Sequence, residues 1–156
     1  NFGHPTRRCT CKPADIKKYM SKISGPLLDR IDIQIEVPPI SFDEMSSEVV
    51  PEPSSAIRER VNAAREYAAG RFEGEDGVRS NSDMTPSMIR KYCKMDDEAK
   101  ALLGEAFETL GLSARGHDRV LRVARTIADL DRSEIITASH IAEAIQLRSL
   151  DRKYWE

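Results

Sequence analysis

Two arginine-bearing segments carry most of the chemistry open to this chain. The first is Ser24-Gly25-Pro26-Leu27-Leu28-Asp29-Arg30-Ile31-Asp32, with Arg30 between a Gly-Pro turn and a run of alternating Ile residues. A rigid turn that holds a guanidinium beside a sheet edge suits presentation to a phosphate in a neighbouring subunit. There it would stabilise charge developing on a transferring phosphoryl group. Local pairing with Asp29 or Asp32 is the competing reading, since surface ion pairs are common and weak. The second segment runs from Gly111 to Arg125. At helical spacing Val120, Leu121, Val123, Ala124, Ile127, Ala128 and Leu130 share one half of a helix, and Arg115, Arg119, Arg122 and Arg125 fall on the other. Arg115 lies in the first turn, where the helix dipole disfavours a cation. A cationic side chain and free backbone N–H groups together make an anion site. A plain solvated arginine face is the alternative.

A third constellation is Arg7-Arg8-Cys9-Thr10-Cys11. Cys9 and Cys11 could give two thiolates to zinc and His4 a third ligand, but a closed site needs four. Cys93, alone in a helical segment, is expected to pack. Other chemistries are missing from the sequence. It holds no G-x-x-x-x-G-K-[ST] phosphate loop, no acidic pair after an apolar strand, and no supported Ser/His/Asp arrangement. The chain alone is therefore not expected to be a catalyst.

These residues need elements to hold them. Pro13 suits the first turn of a short helix over 14–23, which Gly25-Pro26 stops. Ile31 to Val37 alternates strictly, with β-branched residues on one face, and predicts a half-buried strand ended by Pro38-Pro39. Residues 40–54, rich in Ser, Pro and Glu, read as a linker. Beyond it everything reads as helix. One helix runs from Ser54 or Ser55 to Ala69 and stops at Gly70, before a polar loop over 71–84. Thr85-Pro86 opens a helix to Tyr92, Asp96 caps one to Leu110, Ser113 caps one to about Asp131, and Thr137 caps one to about Leu147. Asp151 to Trp155 could add a turn. The expectation is a mainly α chain. Residues 1–40 would be a remnant of an α/β core with its last strand, 41–54 a linker, and 55–156 a bundle of four or five helices.

Composition bounds the rest. The chain is 40 % hydrophobic and 32 % charged, and has three cysteines. It holds no apolar run long enough to span a bilayer. Too few cysteines are present for a disulfide framework, so a reducing cytoplasm is expected. Residues 1–30 carry seven Lys/Arg against two Asp/Glu, whereas residues 31–78 carry four against eleven. The basic head fits an anionic neighbour as well as a solvated surface. Without an initiator Met, the chain reads as a piece of a longer protein.

Taken together, the segments are more specific than each alone. Arg7 to Cys11, Lys22 to Asp32, Ser113 to Gly116 and Leu121 to Leu130 closely resemble the C-terminal part of the ComM/YifB family, which are magnesium-chelatase-like AAA+ ATPases. The resemblance covers nearly the whole chain. It implies that Arg30 is a trans-acting arginine finger and that Arg115 is the sensor-2 arginine opening a lid helix, with Arg119 a weaker match on the same face. It implies a lid bundle that closes over ATP and Mg2+ bound by the core of its own chain, in a homo-hexamer driving DNA, as in branch migration during natural transformation and competence. A Cys-Pro-Cys-Gly segment directly precedes the stretch corresponding to Asn1 in this family. With Cys9 and Cys11 it would complete a zinc-binding set in the full-length protein, and this chain alone is expected to bind no cofactor. Two alternatives stand: the magnesium chelatase I-type subunit of tetrapyrrole synthesis, which lacks the cysteines, and a non-enzymatic helical module binding DNA through its arginine face.

Overall fold

A computed structural model describes residues 2–4, 6–28 and 30–148, except the side chains of Asp43 and Glu44. The turn expected over 151–155 lies outside them. Three short helices come first: α1 (Pro13–Met20), α2 (Gly25–Leu28) and α3 (Phe42–Met45). The bundle follows: α4 (Ser54–Arg71), a single 3-10 turn (Asn81–Asp83), α5 (Pro86–Tyr92), α6 (Asp97–Thr109), α7 (Ala114–Leu130) and α8 (Ala138–Gln146).

Capping explains where the bundle helices begin. The Thr85 hydroxyl accepts from Met88 N–H at 3.4 Å, the Asp96 carboxylate from Ala99 N–H at 2.7 Å, and the Ser113 hydroxyl from Gly116 N–H at 3.0 Å. Each occupies an otherwise orphaned helix donor. At the end of α6, Gly111 adopts φ 53° and Leu112 N–H reaches back to Phe107 O at 3.2 Å. This closing motif needs a left-handed residue, which glycine supplies without a Cβ clash. The end of α7 is built the same way, with Arg132 at φ 54° and Ser133 N–H on Ala128 O at 2.8 Å. The helix expected to stop at Gly70 instead continues through Arg71, because Arg71 and Phe72 both have partners inside the bundle.

Helix α7 is the centre of the molecule, packing against α4, α5 and α8 while α6 also packs against α8. Its Val120, Leu121, Val123, Ala124, Ile127 and Ala128 are buried with Phe72, Met84, Ile89, Leu103, Ile136 and Ile141. A fully buried side chain of the Val, Leu or Ile kind contributes about 1.5–3 kcal/mol. This stripe therefore holds the bundle together. A lone parallel bridge between Met95 and Ile136 ties the α5–α6 loop to the α7–α8 loop.

The strand expected over Ile31 to Val37 does not form, and no strand occurs among the described residues. The segment is extended but has no ladder, because a strand is stable only beside another. Polar contacts tie it to the bundle, among them Gln34 N–H on Leu147 O at 2.7 Å. The expected face is also inverted. Asp32 and Gln34 are half-buried against the bundle, while Ile33, Ile35 and Val37 are 52 %, 67 % and 80 % exposed.

Candidate anion-binding site

The arginines of α7 do not form one solvated face. Arg125 is fully buried. Its Nε donates to Asp129 at 3.1 Å, and its terminal nitrogens donate to the carbonyls of Glu134, at 2.8 Å, and Ser133. Burial pulls this guanidinium below its ordinary value, and the Asp129 charge opposes that. Asp129 also accepts from Arg71 at 3.0 Å and from Asn81 Nδ2 at 2.7 Å, and Asn81 reaches Thr126 at 3.0 Å. The cluster joins α4, the 3-10 turn, α7 and the loop after α7. It is structural, and the placing of Arg125 among the solvated arginines is corrected accordingly. A signal for it exists in the sequence. Leu121 and Ala128 flank Arg125 at i−4 and i+3, and Asp129 stands one turn on.

The other three arginines run along α7 at positions 115, 119 and 122, which helical spacing puts on one face. Arg115 is exposed, and no hydrogen bond or ion pair to it occurs among the described residues. Arg119 is mostly buried and ion-pairs with Asp32. Arg122 donates to Met84 O at 2.6 Å, and its Nε is buried with no partner. Opposite them stands Arg30. Helix α2 ends on Leu28, a buried anchor, and Arg30 N–H closes the turn on Leu27 O at 3.0 Å. The Arg30 guanidinium is exposed and touches Pro26 O at 3.2 Å. Asp32 is not its partner, since that carboxylate pairs with Arg119, and Asp29 lies outside the described residues.

Pro26, Arg30, Arg115, Asp118, Arg119 and Arg122 line one cavity of about 410 Å³. Four guanidiniums and one carboxylate leave a strongly cationic surface at the N-terminal end of α7. Planar guanidiniums converging on one space suit a multivalent oxyanion such as a phosphate.

The cysteines behave differently. Cys9 and Cys11 line a second cavity with His4 and Asp15. The Cys11 backbone N–H lowers the Cys9 thiol pKa, and hydrogen bonding with Cys9 raises that of Cys11. His4 Nδ1 instead accepts from Arg7 N–H at 3.0 Å and Thr6 N–H at 3.2 Å. No group of three or more His, Cys, Asp or Glu among the described residues is placed to hold a metal. Cys93 packs in the core as expected, with burial pushing its thiol up to about 11.

A helical bundle, a turn-borne arginine and an arginine-rich capped helix occur together in a chain that two family models match. The family model described as magnesium chelatase, subunit ChlI C-terminal, matches residues 51–148, and that of magnesium chelatase, subunit ChlI, matches residues 1–45. The chain belongs to this magnesium-chelatase-like family of AAA+ proteins. Within it, the chain is 41 % identical over 143 residues to the uncharacterized protein YifB of Escherichia coli. It is 36 % identical over 141 residues to the competence protein ComM of Haemophilus influenzae. An uncharacterized Mycobacterium tuberculosis protein is 34 % identical over 140 residues. These alignments cover 90–91 % of this chain but 27 % of each relative, so the chain spans about a quarter of the length of the curated relatives it matches. No described helix is long and apolar enough to cross a membrane.

Proposed function

We propose that this chain supplies the arginine half of an ATP-hydrolysing site in a ComM-like DNA motor, with Arg30 as the finger and Arg115 as the sensor-2 residue. The observation that carries the reading is the shared cavity: Arg30 and Arg115 are 85 residues apart and line the same space. Arg30 would stabilise charge developing on the γ-phosphoryl group, and Arg115 would report nucleotide state to α7. Arg119 and Arg122 are engaged by Asp32 and Met84 and would add field more than direct contact. No P-loop sequence occurs in the chain, so the triphosphate and its Mg2+ would be gripped by residues outside it.

Sharing a cavity alters one part of the expectation. A lid closing over its own core and a finger reaching a neighbour would place the two arginines at different nucleotides. Lining one cavity, they address the same phosphate, so if Arg30 acts on a neighbouring subunit, Arg115 acts there too. A homo-oligomeric ring, with a hexamer as its proposed form, follows from this reading. DNA is the proposed track, on the strength of the likeness to the competence protein ComM.

The magnesium chelatase reading keeps the same arginine chemistry and differs in substrate, and it is favoured by the family models' description. Porphyrin-dependent stimulation of turnover would select it. The DNA-binding-face reading is weakened by the internal partners of Arg119, Arg122 and Arg125. In the full-length protein Arg30→Ala is expected to abolish ATP turnover with ATP binding nearly intact. Normal turnover in that variant would sink the assignment. Arg115→Ala is expected to impair turnover or nucleotide affinity, and wild-type values for both would remove the sensor-2 role.

A further inference from the structure

We infer that Asp32 is the positioning residue of the arginine cluster, fixing Arg30 opposite Arg115 through its ion pair with Arg119; the inference rests on the cluster being a phosphate site. Among the described residues, polar contacts tie the segment after α2 to the bundle. Arg148 donates to Ile31 O at 2.6 Å, Gln34 N–H donates to Leu147 O at 2.7 Å, and Asp32 pairs with Arg119. The first two end on the residues that follow α8, away from the cavity. The third ends on α7 itself, on the helix that carries Arg115 one turn earlier.

Register follows from that geometry. Arg30 closes the turn after α2 and Asp32 follows two residues on, at a bend, while Arg115 and Arg119 are four apart on one helix face. With Asp32 joined to Arg119, Arg30 and Arg115 line the same cavity. Leu28 anchors the turn before Arg30 by burial, but beyond Arg30 the Ile residues on either side of Asp32 are 39 % and 52 % exposed, so the polar tie of Asp32 holds that side. Arg119 is 22 % exposed at its side chain and Asp32 47 %, so the pair is partly shielded at the seam between segment and bundle. Asp32 touches no phosphate in this scheme. It acts through Arg119, and it also keeps that guanidinium at the wall of the cavity.

Two measurements on the whole chain test this. Spin labels at Lys22→Cys and Thr109→Cys, in a Cys9→Ser, Cys11→Ser background, report the placement of the segment. One narrow distance distribution is expected with Asp32, a broad one with Asp32→Ala, and recovery of the narrow one with Asp32→Glu. An unchanged narrow distribution in Asp32→Ala overturns the inference. The second measurement is the affinity for inorganic tripolyphosphate. Raw affinity is not the readout, because removing a carboxylate beside the cavity strengthens anion binding by itself. The readout is the cost of Arg30→Ala. It is expected to be about tenfold with Asp32 in place or in the Asp32→Glu background, and to vanish in the Asp32→Ala background. An equal cost with Asp32 and with Asp32→Ala overturns the positioning role. If Arg30→Ala and Arg115→Ala both leave affinity unchanged with Asp32 intact, the phosphate-site reading fails, and the label distances decide the role of Asp32 alone.

Discussion

Residues 54–148 and residues 2–50 are built on different terms. The bundle buries apolar side chains in an unbroken set, from Ala68 to Ala144, many with no exposure. In the leading part Leu28 is the one buried apolar side chain among the described residues, while Ile33, Ile35, Val37, Ile40 and Phe42 are 52–80 % exposed. Burial fixes the bundle from within, whereas the leading segment is placed by hydrogen bonds and an ion pair from the bundle's helices. The arginine cavity lies on the seam between them. Folding of the bundle and placement of Arg30 should therefore respond to different substitutions.

The largest test of that separation lies inside the bundle. Asp129 is 2 % exposed at its side chain and holds both Arg125 and Arg71. Asp129→Ala strands two buried or nearly buried guanidiniums, and breaking such a pair from one side costs about 3–5 kcal/mol. Chemical denaturation followed by helical circular dichroism should show a loss of that order. A loss below about 1 kcal/mol would mean that water reaches the cluster and that the bundle core is smaller than the buried set described.

How far the sequence reveals this plan depends on the kind of signal. Helices α5, α6 and α7 are legible because Thr85, Asp96 and Ser113 are local signals: each cap bonds its own third residue. The amphipathic stripe of α7 is equally local. The buried Arg125 is legible only in part: Leu121, Ala128 and Asp129 mark a shoulder position, but the Ser133 and Glu134 carbonyls and the Arg71 and Asn81 that complete the cluster lie elsewhere in the chain. Alternation over Ile31 to Val37 shows that the segment is extended. It cannot say which face is covered, since that depends on a neighbouring strand or helix. Arg30 and Arg115 each stand out by type and place. Their meeting at one cavity depends on contacts between distant residues, such as Asp32 with Arg119, which no spacing rule encodes.

A second, smaller effect uses acidity. Burial raises the Cys93 thiol from 9.0 to about 11 in the folded bundle. Between those values the unfolded chain loses the proton and the folded chain keeps it. The folded state then binds more protons, so stability falls as pH rises from about 9 to about 11 and levels off beyond. Urea melts across that range should show a slope that Cys93→Ala removes, with Cys9 and Cys11, present in both chains, contributing none of the difference. An identical slope in Cys93→Ala would place the thiol in contact with solvent, and the packing of α5 against α7 would have to be looser.

The smallest expected effect is the sharpest test of the contrast. Ile35 is an apolar residue at the middle of the leading segment, yet it is 67 % exposed. Ile35→Ser removes no buried area from the bundle, so its unfolding free energy should move by no more than about 0.5 kcal/mol. The same exchange at Ile141, which has no exposure, removes a packed side chain and leaves a hydroxyl in the core. A drop above about 1 kcal/mol for Ile35→Ser would mean that the apolar row folds onto the bundle in solution. In that case the segment would be placed by burial as well as by polar ties. Asp32 would then have less to hold, and the widths of the label distances in Asp32→Ala would shrink toward those with Asp32 intact.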